Sequence, residues 1–236
     1  MPCPYLPGRV ERRIVTELIG RHASNFHDDL TLAGYRRSHS IAYAPACPTC
    51  QACIAVRIVA NEFKATRSQR RILNTNYDVY PANRPPEATD DQFALFTRYQ
   101  KTRHGTGDMA KMNFTDYQAL VEETPVETEL YEFRDDRGRL IAACLTDQVS
   151  DGLSAVYSFF EPDLQQRSLG SYVILWLIEE ARNRGLDYVY LGFWVDDCAK
   201  MSYKAKFQPL EAFIDGQWQQ FQPHDKTTSE FTANQQ

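Results

Sequence analysis

The run RSLGSYVILWLIEEARNRGLDYVYLGFWV, residues 167–195, constrains the fold more than any other part of the chain. From about Leu169 to Asn183 it reads as a helix, with Gly185 as the C-terminal stop. Val173, Leu175, Trp176, Leu177 and Ile178 make that helix apolar nearly all round, so it must pack in an interior. LDYVYLGFWV then reads as a strand. Upstream, ETELYEFRDDRGRLIAACLTDQVSDGLSAVYSFFEP gives three strand-like runs, with turns at Asp135–Gly138 and Ser150–Gly152. An antiparallel meander, a buried helix, a strand, a further helix ending in YKAKF and a last strand make a mixed α/β (α+β) fold.

The rest of the chain is organised around that block. DQFALFTRYQKTRH places Phe93, Phe96 and Tyr99 at helical spacing, capped by Asp90 or Asp91, and FTDYQALVEE is a second expected helix. TELIGRHAS suggests a short helix, DDLTLAGYRRSHSIAYAP an extended stretch, and CIAVRIVANEF, Cys53–Phe63, a strand. Pro81–Gln92 concentrates proline and polar residues and reads as a linker between an N-terminal region, 1–80, and a C-terminal one, 93–221. Residues 222–236 are polar and aperiodic and read as a flexible tail.

With 236 residues, 43% apolar, the chain can bury a substantial core as one large domain or two closely packed small ones. No run approaches the roughly 20 apolar residues that cross a bilayer. The start MPCPYLPGRV has Pro and Gly where a leader needs an apolar stretch, so a cytoplasmic protein without a membrane partner is expected. The net charge of −5 hides an asymmetry: residues 1–110 carry 15 Lys+Arg against 10 Asp+Glu, the remainder 11 against 21. The basic half can meet phosphates although the whole is acidic.

The meander, glycine-bearing turn, buried helix and strand resemble the GCN5-related N-acetyltransferase fold. There a turn of pattern [Q/R]-x-x-G-x-[G/A] exposes backbone N–H groups at a helix N-terminus to a pyrophosphate. Here the run is Arg167-Ser168-Leu169-Gly170-Ser171-Tyr172, and Ser171 stands where a small residue is needed, which crowds coenzyme A and leaves room for another acyl donor. CPYLPGR (Cys3–Arg9), GYRRSHSIAYAPACPTCQAC (Gly34–Cys53), TRSQRR (Thr66–Arg71), RYQKTRH (Arg98–His104), SAVYSFFEPDLQQRSLGSYVILWLIEEAR and YVYLGFWVDDCAKMSYKAKFQPLE together resemble the bacterial aspartate/glutamate leucyltransferases, relatives of the eukaryotic arginyl-tRNA–protein transferases. The resemblance runs from Cys3 to about Trp218. It implies an N-terminal cysteine-containing lobe packed on an acyltransferase-like lobe, an aminoacyl-tRNA donor, and an acceptor protein with an acidic N-terminal residue. A destabilising N-terminus, marking the acceptor for degradation, is the implied product.

Such a donor is already activated, so placement against an amine supplies much of the rate and no nucleophile or cofactor is required. For a modest base the candidates are Asp196, which as the residue before a helix also reads as a cap, and the hydroxyls of Tyr157 and Tyr190. An acidic acceptor side chain needs a cationic fork, with Arg36, Arg37, Arg103 and His104 as candidates. If extended, Arg36 and Arg37 point to opposite faces and cannot share one carboxylate. For tRNA, Arg67, Arg70 and Arg71, Arg12 and Arg13, and the turn residues Arg167, Ser168 and Gly170 are expected near phosphate. Lys200, Tyr203 and Lys204, at helical i, i+3 and i+4 spacing, are expected to join them on one face. Phe159, Phe160, Trp176 and Phe193 are candidates to line an apolar pocket or to fill core.

Cys47-x-x-Cys50-x-x-Cys53, with Cys3 as a fourth thiol, suits tetrahedral zinc or an iron–sulfur cluster, or else a reduced cluster supporting a loop. In the eukaryotic relatives, N-terminal cysteines are associated with metal and redox control. Cys144 in an apolar strand reads as core. Three alternatives stay open: an arginyl donor, a coenzyme A-dependent N-acetyltransferase, and a metal-dependent RNA-binding module without catalysis. The short length favours the leucyl branch.

Overall fold

The computed structural model describes residues 2–105, 107–196 and 198–223; the side chain of His104 also lies outside the described set, as does most of the expected tail. The N-terminal stretch forms β1 (Arg13–Glu17), α1 (Ala23–Leu32), β2 (Arg36–Ser38) and β3 (Ile41–Pro45), the strands lying in the antiparallel order β1-β3-β2. After these come β4 (Ile54–Val59), α2 (Arg67–Thr75) and β5 (Tyr80–Arg84). α3 (Asp90–His104), α4 (Phe114–Glu122), β6 (Thr128–Arg134), β7 (Leu140–Val149) and β8 (Gly152–Phe160) lead to α5 (Leu169–Asn183) and β9 (Tyr188–Trp194). The described chain closes with a 3₁₀ turn over Ser202–Lys206 and the hairpin β10 (Leu210–Ile214) and β11 (Gln217–Phe221). Eight strands make one sheet in the order β11-β10-β4-β9-β8-β7-β6-β5.

β7 shows why the sequence adopts layers. Nine of its ten residues are buried, because α5 covers one face of the sheet and α3 with α4 the other. Val173, Leu177 and Ile178 of α5 pack with Phe133, Ile141 and Leu153. On the opposite face Leu95 and Phe96 of α3 and Tyr117 of α4 meet Leu130, Leu145 and Phe159. Trp176 sits edge-on to Tyr131 and Phe133, so its work is packing.

β8 and β9 are parallel neighbours joined through α5, and they pair only from Gly152↔Tyr188 to Ser154↔Tyr190. Beyond that both strands continue and part. The meander, buried crossover helix and following strand are the acetyltransferase-like arrangement expected from the sequence; the parallel pairing of β8 with β9 and its end at Ser154↔Tyr190 are added by the structure.

Several expectations are corrected. The segment read as a linker holds β5, the sheet's edge strand, and Thr89 rather than Asp90 or Asp91 caps α3, through a capping box with Gln92. TELIGRHAS is not a helix: its first residues end β1, Gly20 turns at φ +76°, and α1 begins at Ala23 and runs through the stretch expected to be extended. Ala23, His27 and Thr31, four apart, form its buried stripe. The helix expected to end in YKAKF is only the 3₁₀ turn. With about three residues per turn, Lys204 rotates away from Lys200 and Tyr203. Lys200 is exposed and Lys204 buried, so the three share no face.

Candidate active site

A cavity of about 560 Å³ opens at the N-terminus of α5. Ser168, Leu169, Gly170 and Ser171 form one wall, Ser158, Phe160 and Glu161 at the end of β8 another. Tyr99 and Arg103 of α3, with Lys200 and Tyr203, complete the rim. Ser168 takes up the left-handed region (φ 50°) and its side chain caps nothing; the Ser171 amide donates to the Ser168 carbonyl at 3.0 Å, which leaves the Leu169 and Gly170 amides of the first turn for a ligand. Gly170 is required by packing as well: a Cβ there would stand 2.9 Å from the Phe160 ring. Leu164, Leu169, Ile174 and Phe160 supply an apolar wall, and the Arg103 guanidinium lies 5.7 Å over the Phe160 ring.

The gap where β8 and β9 part is filled by the basic side chains of Arg36 and Lys204. Arg36 Nη2 donates to the carbonyls of Ala155 (2.6 Å) and Val156 (3.4 Å), and Nη1 to Ser154 Oγ (3.3 Å). No carboxylate among the described residues pairs with it. Gly192 (φ +78°) makes room, since a Cβ there would lie 2.5 Å from Arg36 Nε. Lys204, 7% exposed, donates from Nζ to the Phe193 carbonyl. Burial, and after it the Arg36 guanidinium, holds the Lys204 amine down at about 7. Arg36 also lies within electrostatic reach of Tyr203, which joins the gap to the cavity.

The other sequence candidates lie elsewhere. Arg37 is buried, Nε donating to Asp147 Oδ2 at 2.6 Å and Nη2 to Oδ1 at 2.7 Å, so it is part of the frame and not open to a ligand. The Tyr190 hydroxyl donates to Asp151 (3.0 Å) and accepts from Arg57 Nη1 (2.9 Å), away from the cavity, and burial raises its pKa. Tyr157 bonds Gln100 within the α3–α4 core, its pKa raised by burial. Asp196 lines a separate depression with Glu62, Lys64 and Lys206. Arg167 is tied to Asp78 and to Asn76 Oδ1 (3.0 Å), outside the cavity wall. Arg13 is paired with Glu11, and Phe159 belongs to the core. Phe193 meets Tyr43 beside the cysteines.

Arg67, Arg70 and Arg71 line one exposed groove along α2. That helix is fastened near the cavity at both ends, Gln69 Nε2 donating to the Lys206 carbonyl and Asn76 Nδ2 to the Arg167 carbonyl. The sequence placed Tyr99 only in the apolar stripe of α3 and assigned Glu161 no role, so neither was among the site candidates. A charged residue closing the apolar run SAVYSFF was the available signal for Glu161, and the proline after it made it look like a plain turn.

Cys3, Cys47, Cys50 and Cys53 gather around one small cavity. Arg9 Nη1 donates to Cys50 Sγ at 2.9 Å and the Arg12 amide to Cys47 Sγ at 3.4 Å. Burial first, then the neighbouring thiols, pushes Cys53 up to about 11, whereas the Ala52 amide and Arg9 hold Cys50 down. Four sulfurs are a fitting donor set for zinc or an iron–sulfur cluster. Among the described residues no group of three His, Cys, Asp or Glu side chains is drawn together as a metal site. Among those residues, too, no helix is long and apolar enough to cross a membrane.

Comparison with known proteins agrees over nearly the whole chain. Residues 1–71 match the family described as "Arginine-tRNA-protein transferase, N terminus" and residues 91–214 that described as "Arginine-tRNA-protein transferase, C terminus". The chain is 56% identical over 225 residues to an aspartate/glutamate leucyltransferase of Paramagnetospirillum magneticum, covering 95% of this chain and 92% of the relative. It is 55% identical over 217 residues to the protein of that name in Granulibacter bethesdensis, covering 92% and 81%. Among solved structures, L-PGS from Bacillus licheniformis overlaps 77% of this chain and 52% of its own length, with 10% identity and a TM-score of 0.49. The fold assignment rests on the strand order, not on that overlap.

Proposed function

This chain belongs to the arginine-tRNA-protein transferase family, in which its curated relatives are named aspartate/glutamate leucyltransferases, and from that membership we propose that it transfers leucine from Leu-tRNA to the N-terminal amine of proteins beginning with Asp or Glu. The observation that carries it is identity of more than half over 92% and 81% of the length of two relatives so named. The cavity supports it: first-turn amides, Arg103 and Lys200 suit the phosphates of a tRNA end, and Leu164, Leu169 and Ile174 suit a leucyl side chain. Arg67, Arg70 and Arg71 extend a cationic track along α2 for the phosphate backbone.

In the reaction the neutral acceptor amine attacks the ester carbonyl, the N–C bond forms, and the bond to the ribose oxygen breaks as that oxygen takes up a proton. Placement does most of the work, worth on the order of 7–11 kcal/mol in favourable cases. An N-terminal amine with an ordinary pKa near 8 is already about a tenth neutral at pH 7, so no strong base is needed. Of the four acceptor-fork candidates, Arg36 receives the acidic side chain: among the described residues its guanidinium is held by neutral groups alone, in the gap beside the cavity. Arg103 serves the donor side; the His104 side chain lies outside the described residues.

The transfer itself needs no cofactor. Zinc or an iron–sulfur cluster, if bound, is held by Cys3, Cys47, Cys50 and Cys53, where it ties the first residues to the loop before β4; metal analysis of anaerobically purified protein tests this. The protein works in the cytosol, and the leucine it adds marks the acceptor for degradation. The function is tested by supplying Leu-tRNA, Arg-tRNA and acetyl-CoA with peptides beginning Asp, Glu, Lys or Ala. Leucine should pass to the Asp and Glu peptides alone. Transfer from acetyl-CoA, or equal labelling of the Lys peptide, would overturn it.

A further inference from the structure

Resting on the leucyl-transfer function proposed above, we propose that Glu161 binds the α-amino group of the donor's aminoacyl ester and thereby selects an amino acid over a simple acyl group. Glu161 lines the cavity, and among the lining residues it is the one carboxylate. It is 1% exposed. Arg98 Nη2 (3.2 Å) and Arg139 Nη2 both donate to its Oε2, which fixes the carboxylate. Its Oε1 is buried without a partner among the described residues. A buried acceptor left unmet is costly, and a ligand that brings an N–H to it recovers the loss.

The neighbourhood says which ligand group that is. Phosphate is matched by the α5 amides, Arg103 and Lys200, and would be repelled by Glu161. A cationic or neutral amine beside an isobutyl chain matches a carboxylate flanked by Phe160, Leu164 and Leu169.

The test compares the full-length enzyme on Leu-tRNA and on the same tRNA carrying 4-methylpentanoate, which lacks only the α-amino group, with an Asp-initiated peptide as acceptor. The wild type should favour Leu-tRNA by on the order of tenfold to a hundredfold in kcat/KM, the range of a hydrogen bond to a charged group. Glu161→Gln should cut Leu-tRNA use by a similar factor and leave the desamino ester unchanged, so that the preference collapses. Equal use of both esters by the wild type overturns the proposal without need of a variant. So does a Glu161→Gln defect of equal size on both, or one that instead disappears with Leu-tRNA ending in 2′-deoxyadenosine, which would place the contact at the ribose. Failure to use Leu-tRNA at all would strike the transferase function instead, and so remains distinguishable.

Discussion

Replacing Arg37 by Ala should break the frame and spare the choice of acceptor. The guanidinium is buried, makes a two-point contact with the fully buried Asp147, and donates from Nη1 to the His39 carbonyl at 2.8 Å. Removing one partner of a buried pair costs about 3–5 kcal/mol, chiefly because the other charge is stranded. Asp147 keeps the Thr128 hydroxyl at 2.7 Å and has His27 Nε2 at 3.5 Å, so the lower end, about 3 kcal/mol, is expected. For a chain of this size each kcal/mol moves Tm by roughly 2–4 °C, which gives a fall of about 6–12 °C. Calorimetry reads that fall, and transfer assays well below the new Tm should show an unchanged preference for Asp-initiated over Asn-initiated peptides. A Tm within about 2 °C of wild type together with loss of that preference would refute the structural role and return Arg37 to the acceptor site.

Three further outcomes follow from the same geometry. Burial, opposed by Asp147 and aided by Arg37, holds the His27 imidazole below its ordinary value. The unfolded chain therefore takes up a proton near pH 6.5 that the folded chain refuses, and stability should be complete above that pH and decline below it. Urea midpoints at pH 7.5 and 5.5 should show the decline in wild type and a shallower one in His27→Gln; identical slopes would count against it. Gly192→Ala puts a Cβ against Arg36 at a positive φ, costing roughly 1–2 kcal/mol for the backbone alone, and should reduce Leu transfer at least about tenfold; wild-type kinetics would show that Arg36 placement does not matter. The Lys204 amine, held at about 7 against an ordinary 10.5, destabilises the folded state fully below about pH 7 and not at all above about 10.5. Lys204→Met should thus raise Tm at pH 7 while lowering transfer, and a lower Tm or unchanged transfer would contradict this.

The fold was legible where one rule dominated. α5 spans Leu169–Asn183 with Gly185 in the left-handed region behind it, as its all-round apolar surface and glycine stop require, and the meander turns fall at Asp135–Gly138 and after Val149. Alternation along a strand also foretold that Arg36 and Arg37 would part company. Which of them faces the gap was not legible, because it depends on Asp147 of β7, 110 residues away. The residues grouped by helical spacing failed for a local reason: a 3₁₀ turn replaced the helix, so Lys204 left the surface and became a buried amine. Asp196 and Tyr190 sit on or just past the right strand, yet their surroundings lie outside the cavity, and strand membership alone does not say at which end of a side chain's reach a ligand waits.

The claim on which the rest depends is that Arg36, in the gap between β8 and β9, receives the acceptor's carboxylate next to the donor cavity. Its most direct measurement is the ratio of kcat/KM for Asp-initiated over Asn-initiated peptides with Leu-tRNA as donor, in wild type and Arg36→Ala. The ratio should be large in wild type and fall towards one in the variant, with the Asn peptide little affected. A ratio that stays at the wild-type value while the variant remains active would contradict the claim.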